Sequence, residues 1–375
     1  MTTHPTTASS SASSGGDCVW VVEILNLQGA NVGQAKIDPD WAPAIEAANL
    51  DRLRRFPPIS ALCAYSRGVI EPLYHAAARA PFTSGARVTL PLPDGDVMAV
   101  DLPLEYFGDL AQALANQLVR MGKLSPGEEF RYLVCAYPRP GSEDAQPSSR
   151  GLSVEELEQP LPIAALDRRS LLAEARTSGS FTPGDLEVII PESVLVETGV
   201  LSRGARDVET GGFLIGNLAR DIETGNLFAL VTAQIPAQNT VAAAARLTFT
   251  PDCWTAASAA ISIRNRGELM LGWWHSHPVA AWAVSDQPSG EAVEFPQSHG
   301  THTPFFSSMD CHLHRVCFSR AYHLGLVVTV DTDALNWSLF GWRQGWIQHR
   351  HYHIIPDLLP TEEEDQKELE DARVS

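Results

Sequence analysis

The stretch Leu269-Met270-Leu271-Gly272-Trp273-Trp274-His275-Ser276-His277-Pro278 decides how the second half of this chain is read. Its apolar run predicts a buried strand over Leu269–Trp274 that ends in two histidines. Side chains at i and i+2 leave an extended chain on the same face, so His275 and His277 are able to reach one metal ion. Taken alone, a His-x-His triplet at a strand end is more often a satisfied polar edge, so the reading depends on further ligands elsewhere in the chain.

Neutral imidazole suits zinc, and a catalytic zinc needs three protein ligands with a fourth position open to water. The next compact group is Phe305-Phe306-Ser307-Ser308-Met309-Asp310, in which a hydroxyl precedes a carboxylate by three residues. This is also a common helix-capping arrangement, and both uses are compatible, because a helix start fixes the direction of the carboxylate. Hydrolysis also requires a carboxylate that is not a ligand, to move protons between water and leaving group. Glu209 is the candidate. It stands just before Thr210-Gly211-Gly212-Phe213-Leu214-Ile215-Gly216, whose first two glycines allow close backbone approach beside a buried strand.

Taken in order, Glu209 ahead of the Gly-Gly strand, then His275-Ser276-His277-Pro278, then Ser307-Ser308-Met309-Asp310, the chain resembles the JAMM/MPN family of zinc metalloproteases from about Leu186 to His353. The resemblance implies an α/β, cytidine-deaminase-like MPN domain with a central mixed sheet and flanking helices. It implies that His275, His277 and Asp310 bind zinc, that Glu209 is the general acid/base, and that Ser307 helps hold the oxyanion. In this family the serine normally falls eight positions after the second histidine. That position is Ser285 here, and three residues on stands Pro288 rather than a carboxylate. Ser307-x-x-Asp310 is therefore taken as the motif and 279–303 as an insertion, with Asp286 the alternative ligand. The run from Ser307 to His314 is especially similar to the AMSH-type deubiquitinases, relatives that carry a second, structural zinc. His312 with two of His349, His351 and His353 would echo that site, although Arg343 and Gln344 stand where the relatives' cysteine is expected.

Outward from these motifs, strands are predicted over Leu186–Ile190, Gly211–Leu218, Leu227–Ile235, Leu324–Val330 and Asn336–Trp342, and a helix is expected to start near Pro191. Thr250-Pro251-Asp252 supplies a capping hydroxyl, a proline and an early negative charge for a helix carrying Trp254, Ala257, Ile261 and Arg264. In the first half, Cys18–Leu27 and Asn31–Ile37 predict strands around Gly29. Val88–Leu92 and Val97–Leu102 predict a hairpin around Asp94-Gly95. Phe107, Leu110, Leu114, Leu118 and Met121 recur at helical spacing up to Gly122, and Phe130–Ala136 predicts a strand. The expected organisation is a free N-terminus (1–16), a small α+β domain (17–137) and a Pro/Ser/Gly-rich linker (138–183) with a short helix near Ser170–Arg176. The metalloprotease domain (184–355) and an acidic tail (356–375) complete it.

At 375 residues and net charge -18, the chain is long enough for about two domains of ~150 residues, and it lacks the basic clusters that track nucleic-acid phosphates. No basic start followed by an apolar stretch and no bilayer-length apolar run is visible, so a soluble, cytoplasmic protein without a membrane span is expected. The six cysteines form no Cys-x-x-Cys pair and read as reduced thiols. The resemblance implies a hydrolase that removes or trims ubiquitin or a ubiquitin-like modifier. Composition and the pattern-free first half suggest a bacterial system with its own modifier. Processing of a sulfur-carrier protein and a non-catalytic scaffold are the alternative readings.

Overall fold

Val22 and Ile24 alternate with more exposed neighbours along the first strand, and this period-two pattern seeds a unit built from sequence-local hairpins. The computed structural model describes residues 18–55, 68–75, 81–92, 96–139, 161–237, 241–243, 246–279, 305–331 and 334–357. Several expectations lie outside these residues: the free N-terminus, the Asp94-Gly95 turn, the middle of the linker, 280–303 with Ser285, Asp286 and Pro288, and most of the acidic tail. The chain divides into two compact units, Met1–Leu161 with Arg343–Trp346, and Pro162–Trp342 with Ile347–Ser375.

The first unit contains β1 (Cys18–Leu25), β2 (Asn31–Ile37), α1 (Ala42–Arg55), β3 (Val69–Tyr74), β4 (Thr83–Pro91), β5 (Val97–Pro103), α2 (Gly108–Arg120) and β6 (Arg131–Pro138). Its strands form two antiparallel sheets, ordered β2-β1-β6 and β3-β4-β5. The expected helix is present, entered through a single 3-10 turn at Leu104–Phe107 and ended at Gly122, whose φ of +69° suits glycine. Sequence periodicity missed α1, because the face it buries includes the small residues Ala44 and Ala48. It also missed β3, whose Pro72 is tolerated because the strand forms a sheet edge. Trp20, Trp41 and Phe107 interlock at ring separations of 5.3 to 5.9 Å and centre this core.

The second unit runs β7 (Ile163–Leu166), α3 (Arg168–Leu171), β8 (Arg176–Thr177), β9 (Glu187–Pro191), α4 (Glu192–Ala205), β10 (Gly211–Asp221), β11 (Leu227–Pro236), β12 (Val241–Ala243), β13 (Arg246–Thr248), α5 (Pro251–Arg264), β14 (Leu269–His277), α6 (Ser308–Cys317), β15 (Leu324–Val330), β16 (Leu335–Arg343), β17 (Trp346–Arg350) and β18 (His353–Ile355). Apart from the β12–β13 pair, these strands form one mixed sheet ordered β17-β16-β15-β14-β10-β11-β9-β18-β8, with β7 beside β10. The unit is thus mixed α/β and mostly sheet. Pro162–Pro183, expected as linker, supplies β7, α3 and β8 to it. The short helix expected near Ser170–Arg176 is found at Arg168–Leu171, whereas composition concealed the two strands, which are short and bury few side chains. Thr250 precedes α5 as expected, but its hydroxyl lies 3.2 Å from Cys253 Sγ and does not cap the helix backbone.

Among the described cysteines, Cys18, Cys135, Cys253, Cys311 and Cys317 are not in disulfides. Among the described residues no helix is long and apolar enough to cross a membrane.

A buried ion pair ties the C-terminal strands to the sheet: Arg350 Nε lies 3.1 Å from Asp185 Oδ2, and the guanidinium also donates to the Trp342 and Leu186 carbonyls. Asp185→Ala would leave that guanidinium buried without its counter-charge, so a loss of roughly 3–5 kcal/mol is expected from chemical denaturation. Loss of less than about 1 kcal/mol, as for an exposed pair, would show that the pair is not integral to this core.

Candidate metal centre

Strand alternation does for the two histidines what the sequence required of it. β14 continues through His277, and both rings leave the same face, fully buried. Their Nε2 atoms converge to 2.9 Å. Ring orientation comes from aromatic neighbours: Trp273 stacks on His275 at 4.5 Å, and Phe305 stacks on His277 at 4.6 Å.

The third donor arrives from the start of α6. Ser307 is the N-cap residue, its hydroxyl accepting the Asp310 N–H at 3.1 Å, while Asp310 Oδ2 accepts the Ser307 N–H at 2.8 Å. This reciprocal box removes the carboxylate's freedom to rotate away. Asp310 Oδ1 then lies 3.2 Å from His275 Nε2, and Oδ2 lies 3.5 Å from His277 Nε2. Among the described residues, these three form the one group able to hold a metal ion.

The donor set fits a divalent cation of zinc's size. Ligands at zinc's usual bond lengths of 2.0–2.1 Å in a tetrahedron are about 3.3 Å apart, and the observed separations of 2.9, 3.2 and 3.5 Å bracket that edge. Two buried nitrogens this close would repel as lone pairs unless a proton or a cation sits between them. For His275, burial opposes the charged form, but the carboxylates of Asp310 and Glu209 outweigh it and raise the pKa. Burial keeps His277 on the neutral side. Burial likewise pushes Asp310 upward, but the two imidazoles prevail and hold it far below the usual carboxylate range. Protons and metal therefore compete for the same focus.

Glu209 reaches this centre through the β10–β14 ladder. Gly211 pairs with His275, the Ser276 N–H donates to the Thr210 carbonyl, and Glu209 is the residue just before Thr210. The need for glycine at 211 is spatial. A Cβ there would meet the Trp274 carbonyl at 2.4 Å and Leu247 at 2.5 Å. Glu209 is buried, outside the donor triangle but within range of its charges. Burial, with Asp310 adding to it and His275 opposing, pushes its carboxyl up to about 7. Ser307 only accepts in the capping box, so its own proton is not consumed there.

The second metal set does not assemble. His312, His349, His351 and His353 form no ligand group among the described residues. His353 is engaged by Glu187 at 2.6 Å and Thr177 at 3.0 Å. His312 is exposed on α6, whereas the buried histidine is His314, four residues after Asp310 and on the same helix face. His314 accepts the Trp273 indole N–H at 3.0 Å, and burial with nearby positive charge lowers its pKa to about 3. Sequence reading passed over His314, although its i+4 spacing from Asp310 was the available signal.

No protein-family model matches the chain, and no curated protein matches it. A solved structure of protein DSY2949 from Desulfitobacterium hafniense is 19% identical, covering 46% of this chain and 94% of that one with a TM-score of 0.30.

Added zinc should stabilise the protein by ~2.7 kcal/mol at a hundredfold excess over Kd, a rise of about 5–10 °C in Tm for a unit of this size. His275→Ala should abolish the rise. The effect should shrink as pH falls and His275 takes up a proton, because only the deprotonated imidazole binds metal. A Tm insensitive to zinc at neutral pH would show that the triad is not a metal centre.

Proposed function

We propose that this chain is a zinc-dependent hydrolase of the JAMM/MPN type, which cleaves the amide or isopeptide bond following the C-terminus of ubiquitin or a ubiquitin-like modifier. The single observation that carries the reading is the convergence of His275, His277 and Asp310 on one point, with the non-ligating carboxylate of Glu209 buried beside it. The order of motifs along the sequence supplies the family and the substrate class.

Zinc, when bound by the triad, supplies Lewis acidity toward water and the scissile carbonyl. The remaining work belongs to the chain. Glu209 takes a proton from the attacking water and returns it to the leaving amine, a role that suits a carboxyl kept apart from the ligands. Ser307 presents its free hydroxyl proton to the charge that develops on the carbonyl oxygen, a contribution of ~3 kcal/mol for a well-placed donor. Trp273, Phe305 and Phe306 line the histidines with apolar surface, which strengthens these interactions by excluding water.

The test uses the full chain, zinc-loaded and with a chelator control. Its substrates are diubiquitin, a Gly-Gly-ended ubiquitin-like protein bearing a C-terminal extension, and a sulfur-carrier protein bearing a C-terminal amino acid, all read by intact mass. Zinc-dependent release from one of the first two supports the reading, release from the carrier alone replaces the substrate class, and no release from any overturns it. Glu209→Gln should retain stoichiometric zinc while losing turnover by about 10²–10⁴-fold. Full activity in that variant would remove Glu209 from the mechanism.

A further inference from the structure

Between the two histidines lies a residue that the chemistry above does not use. Ser276 is fully buried and, by strand alternation, points away from the metal face. Beyond the last ladder pair, Gly211 with His275, it binds both backbone groups of Thr210. The Ser276 N–H donates to the Thr210 carbonyl at 2.8 Å, and the Thr210 N–H donates to Ser276 Oγ at 3.0 Å. A regular ladder would send that N–H to the Ser276 carbonyl. Here the side chain accepts it instead, just before β10 begins and one residue after Glu209.

The N–H held in this way belongs to the peptide that joins Glu209 to Thr210. Fixing it limits rotation about the bond that sets the direction of Glu209 relative to His277. The same strand therefore carries two metal ligands on one face and, on the other, a clamp for the carboxylate-bearing segment. We propose that Ser276 is a positioning residue for Glu209, coupling the proton-transfer carboxylate to the strand that holds the metal; this rests on the hydrolase reading above. An alanine lacks the acceptor. A threonine keeps it and suits an extended backbone.

The experiment compares wild type, Ser276→Ala and Ser276→Thr in the zinc-loaded full chain, using the three substrates above and amide hydrogen exchange. In Ser276→Ala, zinc content and KM should stay close to wild type. The value of kcat should fall by about 10- to 100-fold, the scale expected of a misplaced catalytic group. The Thr210 amide should exchange roughly tenfold faster while the amides of Phe213 and Leu214 are unchanged. Ser276→Thr should restore both kcat and protection. Wild-type turnover in Ser276→Ala, or unchanged Thr210 exchange, overturns the proposal. So does a loss of zinc or a collapse of protection throughout β10 in Ser276→Ala that Ser276→Thr does not reverse, since that marks a structural role. A zinc-loaded wild type that cleaves none of the substrates overturns the hydrolase reading and the positioning role with it. Failure of the positioning role alone is recognised by full activity in Ser276→Ala.

Discussion

Two imidazole nitrogens held 2.9 Å apart, away from water and facing one carboxylate, form the constraint around which the second unit is organised. Such a focus is costly to leave empty of positive charge, because buried lone pairs and a buried anion lose hydration and gain nothing from one another. With a proton, His275 becomes the cation of the cluster. With a divalent metal, all three donors are satisfied together. Ring stacking on both histidines and the capping box around Asp310 limit the positions the three donors take up.

Three kinds of local physics deliver that focus. Period-two alternation in β14 aims both histidines to one side. A capping box at α6 aims Asp310. The antiparallel register between β10 and β14, kept close by the absence of a side chain at Gly211, ends beside His275 and leaves Glu209 two residues away, within range of the charges of His275 and Asp310. None of these devices is peculiar to a metal site, and each would occur in an ordinary fold. The chemistry arises from their coincidence at the same ends of neighbouring elements.

Behind the ligands lies an aromatic support. Trp273 presents its ring to His275 and its indole N–H to His314, while Phe318 and Trp342 pack around His314. His314 is kept neutral, accepts on Nδ1 and so carries its proton on Nε2. This fixes the indole edge, which in turn fixes the face against which His275 lies. His275 Nδ1 has no hydrogen-bond partner among the described residues, so stacking takes over the orienting role that a hydrogen bond usually fills.

The sequence by itself determined the elements whose signals are local: the β14 strand and its paired histidines, the serine-to-aspartate cap, the glycines after Glu209, and the helix carrying Leu114 and Leu118. It could not find α1, whose buried face includes alanines, or the short strands within 162–183, because neither carries a strong apolar period. It named His312 for a second metal and did not single out His314, because family likeness ignores which helix face a residue occupies. Only the tertiary structure decided that Glu209 is buried within range of the charges of His275 and Asp310, that Asp310 lies within reach of both histidines, and that His349, His351 and His353 gather no second site among the described residues. Those outcomes depend on the register between strands distant in sequence and on where a crossover helix begins. Pattern within one segment carries no information about either.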